Sequence, residues 1–131
     1  RANYILGGVV FIVLLFSCNT TDPAETTLAD QIKGNFMGML QNSDSTANDF
    51  SVIVTEINDT RVTIAPASGS YWATFEVNLT SDTDGIIALK APADIIENNG
   101  TFAVSTGQLS YTYHLGGSDE YNFEIFLGTK Q

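Results

Sequence analysis

From Gln31 to the C-terminus, apolar and polar residues alternate with a period of two, the repeat of a strand that buries one face. The alternation falls into eight segments, 32–40, 50–58, 61–66, 71–80, 86–90, 101–105, 108–115 and 121–129. Turn formers separate them: Asn42-Ser43-Asp44, Asn58-Asp59-Thr60, Ser68-Gly69-Ser70, Asp82-Thr83-Asp84-Gly85, Asn98-Asn99-Gly100, Thr106-Gly107 and Gly116-Gly117-Ser118. Three faces read clearly. Tyr71, Ala73, Phe75, Val77 and Leu79 alternate with Trp72, Thr74, Glu76 and Asn78. Leu109, Tyr111, Tyr113 and Leu115 alternate with Ser110, Thr112 and His114. Tyr121, Phe123, Ile125 and Leu127 alternate with Asn122, Glu124 and Phe126. These patterns place Phe75, Tyr111, Phe123 and Ile125 inside and set Phe126 and Trp72 on the polar faces. In segment 50–58 the Val52/Val54 and Ile53/Ile57 sets compete for the interior.

Short strands in hairpin succession, each with one apolar face, predict an all-β domain: an eight-stranded antiparallel up-and-down barrel, with a β-sandwich as the alternative. Closure removes the exposed edges that invite aggregation, and eight strands leave room for side chains or one small ligand. Residues 91–100 are the only long connection. Within it Pro92-Ala93-Asp94-Ile95-Ile96-Glu97 is expected to form one helical turn over a barrel mouth, with Ile95 and Ile96 facing inward.

The N-terminus follows a different pattern. Arg1 precedes a thirteen-residue apolar run, 4–16, which ends in Leu15-Phe16-Ser17-Cys18 and then polar Asn19-Thr20-Thr21. An apolar run of that length with a small residue before the cut belongs to a secretory signal, and it is shorter than the ~20 residues of a spanning helix. Cys18, the only cysteine, sits at the cleavage position, and the arrangement resembles the lipobox of bacterial lipoproteins. The resemblance implies removal of residues 1–17, lipidation of Cys18, and anchoring to a membrane through acyl chains, of which two or more hold stably. Because the chain opens on Arg1 and not on Met, a longer basic region is expected upstream. Residues 18–30 then form a lipidated tether. In it Asp22-Pro23-Ala24-Glu25 reads as a helix start, with Asp as N-cap, Pro first and Glu three after the cap. Leu28 and Ile32 are placed to lie on one face of that helix. Residues 31–131 make the barrel domain.

Fifteen acidic residues against five basic ones give a net charge of −10, and −11 once Arg1 is removed. With no basic cluster, that charge argues against nucleic acid as a partner. A lone cysteine committed to lipid leaves no disulfide, so stability must come from the core.

Two further stretches carry a family resemblance. Ile32-Lys33-Gly34-Asn35-Phe36-Met37-Gly38, and Gly107-Gln108-Leu109-Ser110-Tyr111-Thr112-Tyr113 with the ending Gly128-Thr129-Lys130-Gln131, are similar to the small calycin-like (lipocalin-like) barrel lipoproteins of Bacteroidota. Gly34-Asn35-Phe36 stands where lipocalins carry Gly-x-Trp. The resemblance implies a calycin-like barrel in the bacterial cell envelope, held by lipid on the periplasmic or surface-exposed side of the outer membrane. Asp22 and Glu25 would fit a surface-export signal there, and Asp44-Ser45-Thr46 fits the O-glycosylation pattern of such proteins.

Candidate chemistry is sparse. One histidine, His114, read as outward, and no spare cysteine leave nothing for a metal cluster or a Ser–His–Asp arrangement. Asp82-Thr83-Asp84-Gly85 starts like a calcium loop, but Ile87 and Ala93 occupy the sixth and twelfth positions where an EF-hand needs Gly and Glu. It is therefore expected to be a hairpin turn. Glu56, Glu76 and Glu124 would act as paired carboxylates only with two facing inward, and Glu76 and Glu124 read as outward. No enzyme, cofactor or metal is expected. Tyr71, Tyr111, Tyr113 and Phe75 fall on inward faces and are the candidate ligand-binding residues, for a small apolar or aromatic molecule that is neutral or cationic. The alternative is a structural or protein-interaction lipoprotein with a solid core and an envelope protein as partner.

Overall fold

The computed structural model describes residues 24–67, 74–92, 99–114 and 123–131. They form a closed antiparallel barrel, in chain order β1 (Gly34–Gln41), β2 (Thr46–Asn58), β3 (Arg61–Pro66), β4 (Phe75–Ser81), β5 (Ile86–Lys90), β6 (Asn99–Ala103), β7 (Gln108–His114) and β8 (Phe123–Lys130). Each strand pairs with the next, and β8 returns to pair with β1, so the up-and-down barrel read from the alternation is the fold. Cys18, Tyr71, Trp72, Leu115, Tyr121, the proposed lid turn at 93–98 and the side-chain direction of His114 lie outside the described residues.

One end of the barrel is closed by a helix, α1 (Leu28–Ile32). It starts later than the Asp22 signal suggested, because Thr27 and Asp30 form a reciprocal capping box: Asp30 N–H donates to Thr27 Oγ1 at 3.0 Å and Thr27 N–H to the Asp30 carboxylate at 3.4 Å. Ala24 and Glu25 are not helical. The predicted pairing of Leu28 and Ile32 holds, with Ile32 fully buried and Leu28 packed against the core. Ala29 N–H donates to the Asp59 carbonyl in the β2–β3 turn, and Lys130 Nζ to the Gln31 carbonyl at 2.9 Å. The β4–β5 hairpin reaches the same end through one 3₁₀ turn, Thr83–Gly85, with Asp82 as its cap, as the turn reading expected.

Inside, the helix and all eight strands contribute to one continuous core. Segment 50–58 resolves in favour of its valines: Val52 and Val54 are buried, whereas Ile53 and Ile57 are exposed. β2 begins at Thr46 and not at Phe50, because an extra residue is accommodated beside β1, where Gly38 pairs with Phe50 and Leu40 with Ala47. Asp49, at φ 60°, takes the left-handed conformation that such a bulge requires.

The last strand corrects the sequence reading by one residue. Glu124, Phe126 and Gly128 face inward, while Phe123 and Ile125 are only half-buried and Leu127 is exposed. Phe126 and not Phe123 is thus the core residue of β8, and Ile125 lies on the outer face. The cause is the seam between β1 and β8. Gly38 pairs with Gly128, and a Cβ on Gly38 would lie 2.0 Å from the Leu127 carbonyl oxygen. A Cβ on Gly128 would lie 2.3 Å from the Phe126 ring. Only this phase brings glycine to the close approach and lays the Phe126 ring over it. Phe126→Ala should therefore cost ~3–5 kcal/mol of stability, and Phe123→Ala about 1 kcal/mol. Denaturant titration of both variants checks this; equal losses would contradict the register.

Candidate functional site

The end of the barrel opposite α1 is framed by the close of β1, β3, β5 and β7 and the start of β2, β4, β6 and β8. Strand pairing builds a patch on its inner wall. Tyr113 lies directly opposite Glu124, and Tyr111 opposite Phe126. Residues so placed have neighbouring side chains on one face, with diagonal partners still within reach of long ones. Phe75, at the start of β4, crosses the mouth and stacks on both tyrosines, with ring centroids 4.8 Å from Tyr111 and 4.9 Å from Tyr113. Phe50 from β2 meets Phe126 edge-on at 6.3 Å. Gly100 makes room for this stack: it pairs with Tyr111, and a Cβ there would lie 2.6 Å from the Tyr111 ring.

Two polar groups are buried in this aromatic surround. Tyr111 is 1% exposed and Glu124 2%, yet Tyr111 Oη and Glu124 Oε2 have no hydrogen-bond partner among the described residues. Burial raises the Tyr111 pKa, with Tyr113 adding to it, so the hydroxyl stays neutral. Burial also raises the Glu124 pKa, and a hydrogen bond from the Asn42 side chain opposes the rise only in part. The Asn42 oxygen is occupied in its own turn, accepting from Asp44 N–H at 2.9 Å and Ser45 N–H at 2.7 Å. Asn42 thus ties the β1–β2 connection to the buried carboxyl.

The structure brings together three of the four candidate residues, Tyr111, Tyr113 and Phe75; Tyr71 lies outside the described residues. The outward reading of Glu124 is corrected, since its carboxyl faces the interior beside Tyr113. Glu56 and Glu76 are exposed and do not pair with it: Glu56 bridges to Lys33 at 2.8 Å and Glu76 to Arg61 at 2.6 Å. A signal for the missed pair exists in the sequence. Phe126-Leu127-Gly128 repeats the spacing of Phe36-Met37-Gly38, and both phenylalanines are core residues that share a strand face with their glycine.

A concavity of about 380 Å³ lies on the outer face of β5–β7, lined by Lys90, Asn99, Thr101, Ser110 and Thr112 among others. It is a groove open to solvent. Among the described residues no group of three or more His, Cys, Asp or Glu is placed to hold a metal ion. No helix of the described residues is long and apolar enough to cross a membrane.

No protein-family model, curated protein or solved structure matches the chain. The reading of this end of the barrel therefore rests on its own residues.

The raised Glu124 pKa makes a pH prediction. A carboxyl that binds its proton more tightly when folded favours folding below the unfolded glutamate pKa of about 4.3, and that contribution is lost as pH rises through the folded value. Glu124→Gln, neutral and nearly isosteric, should raise the melting temperature more at pH 7 than at pH 4. A change equal at both values would contradict the burial of an ionisable group.

Proposed function

We propose that this chain is a lipid-anchored β-barrel protein of the bacterial cell envelope that holds a small apolar or aromatic molecule at the barrel end opposite α1. The observation that carries the reading is the pair of buried polar atoms without partners, Tyr111 Oη and Glu124 Oε2, beside the Phe75–Tyr111–Tyr113 stack. A buried polar group left unpaired costs ~1–3 kcal/mol. Elsewhere in the described interior the buried side chains are apolar; the one other buried polar atom without a partner among the described residues, Arg61 Nε, belongs to a guanidinium that bridges outward to Glu76. A concave aromatic wall with a few convergent polar groups is the usual composition of a small-molecule site. The anchor rests on Cys18 and its lipobox-like surroundings, and the Bacteroidota calycin-like resemblance supports the same envelope setting.

The second reading, an interaction lipoprotein, is favoured by one specific observation. Met37, Ile53 and Leu127 are each about two-fifths exposed on three adjacent strands, β1, β2 and β8. Contiguous outward apolar residues of this kind are found at protein contacts.

One experiment addresses both parts. Cells expressing the chain and its Cys18→Ser variant are labelled with fatty acid and fractionated, and the released variant is examined by native mass spectrometry. The label should enter only the unaltered protein, and the soluble variant should carry a small molecule that Tyr113→Ala reduces. Label persisting in Cys18→Ser would overturn the anchor. An empty barrel that gains no thermal stability from any member of an aromatic panel would leave the interaction reading in its place.

A further inference from the structure

We propose that the molecule held at the end opposite α1 is an organic cation: a protonated amine carried on a flat aromatic or apolar body, its ammonium held by Glu124 and Tyr111. This inference rests on the ligand-binding reading above and names the class of ligand.

The protein's own described cations all lie away from Glu124. Of the five lysine and arginine residues, Arg1 lies outside the described residues, and none of the other four serves Glu124. Lys33 is engaged at the α1 end by Asp30 and Glu56. Lys130 donates to the Gln31 carbonyl at that same end. Arg61 bridges to Glu76 on the outer face, and Lys90 is exposed on the outside of β5. Glu124 is nonetheless 2% exposed, with one oxygen unpartnered. A buried carboxylate without a counter-charge is among the most costly groups a fold can retain, and a cation brought to it supplies both the charge and the missing donor.

The neighbours of Glu124 suit an ammonium. A primary ammonium has three donors and no acceptor. Glu124 Oε2 and Tyr111 Oη are the two unfilled acceptors, and cross-strand pairing puts their residues on diagonal positions of one wall, roughly 7–8 Å apart at the backbone. An ammonium seated between those two positions would donate to both. The rings of Phe75 and Tyr113 supply faces on which a flat body stacks and towards which a cation is attracted. The net charge of −10 draws cations towards the molecule and repels anions.

The probes are tryptamine and tryptophol, which share an indole body and differ in an ammonium against a hydroxyl. The full chain is placed in phosphatidylcholine nanodiscs, and binding is read by equilibrium dialysis at pH 7 against empty nanodiscs. Tryptamine should bind saturably, and about tenfold or more tighter than tryptophol, the margin expected for a charge-assisted hydrogen bond over a neutral one. Glu124→Gln should reduce tryptamine to the tryptophol level while its circular dichroism melt remains cooperative. Equal binding of the two probes would overturn the cation inference and leave an apolar ligand site standing. Saturable binding of neither would overturn both readings. A tenfold preference that survives in Glu124→Gln would also overturn the proposal, because the amine would then sit elsewhere.

Discussion

The seam between β1 and β8 is the constraint on which the rest of this structure depends. A meander of eight strands becomes a barrel only if its first and last strands pair, and here they do so across Gly38 and Gly128 at a separation that leaves no room for a Cβ. The close approach is matched on the other side of β1 by an extra residue in β2, taken up near Asp49 in a left-handed conformation. Glycine and bulge together bend the sheet strongly at this point, as closing a small barrel requires. With the seam in place no strand edge among the described residues is left unpaired. The phase of β8 is decided as well, and with it which side chains enter the interior.

That phase links folding to the candidate site. Placing Gly128 inward also places Phe126 and Glu124 inward, two and four residues earlier on the same face. The phenylalanine fills the space over the glycine and meets Phe50. The glutamate is carried into the mouth, opposite Tyr113. A buried carboxyl is thus a consequence of closure, yet its cost is met within the described residues by Asn42 alone. The two ends of the barrel differ accordingly. At the α1 end the helix's polar groups are paired, through the capping box, the Lys33 bridges and the bond from Lys130 to Gln31, and Arg61, whose Nε has no partner, bridges outward to Glu76. At the other end Tyr111 and Glu124 each retain an unfilled acceptor among aromatic rings. The candidate chemistry lies at the end opposite α1.

Much of this was legible in the residues. Hairpin turns and period-two alternation located all eight strands, and Tyr111, Tyr113 and Phe75 converge as their alternation implied. The departures have physical causes. Residues 46–49 carry no apolar alternation, since the bulged start of β2 is exposed on both faces, so only pairing with β1 makes them strand. The helix starts at Thr27 because a reciprocal capping box there completes two bonds. The alternation of β8 misleads because its outer face is as apolar as its inner one: Phe123, Ile125 and Leu127 form an unbroken series, while the true inner series holds a charge and a glycine. Hydrophobicity alone favours the wrong face. The phenylalanine two residues before a glycine, present in both seam strands, points to the right one.

Closure buries an ionisable carboxyl among aromatic rings. The most direct test is the titration of the Glu124 carboxyl carbon by NMR in the full chain in nanodiscs without added ligand. A pKa above the ordinary glutamate value of about 4.3 is expected, with the shift sensed by the aromatic protons of Tyr113 across the strand pair. A carboxyl that titrates at the ordinary value, with no response from Tyr113, would mean that Glu124 faces water and that the last strand closes in the opposite phase.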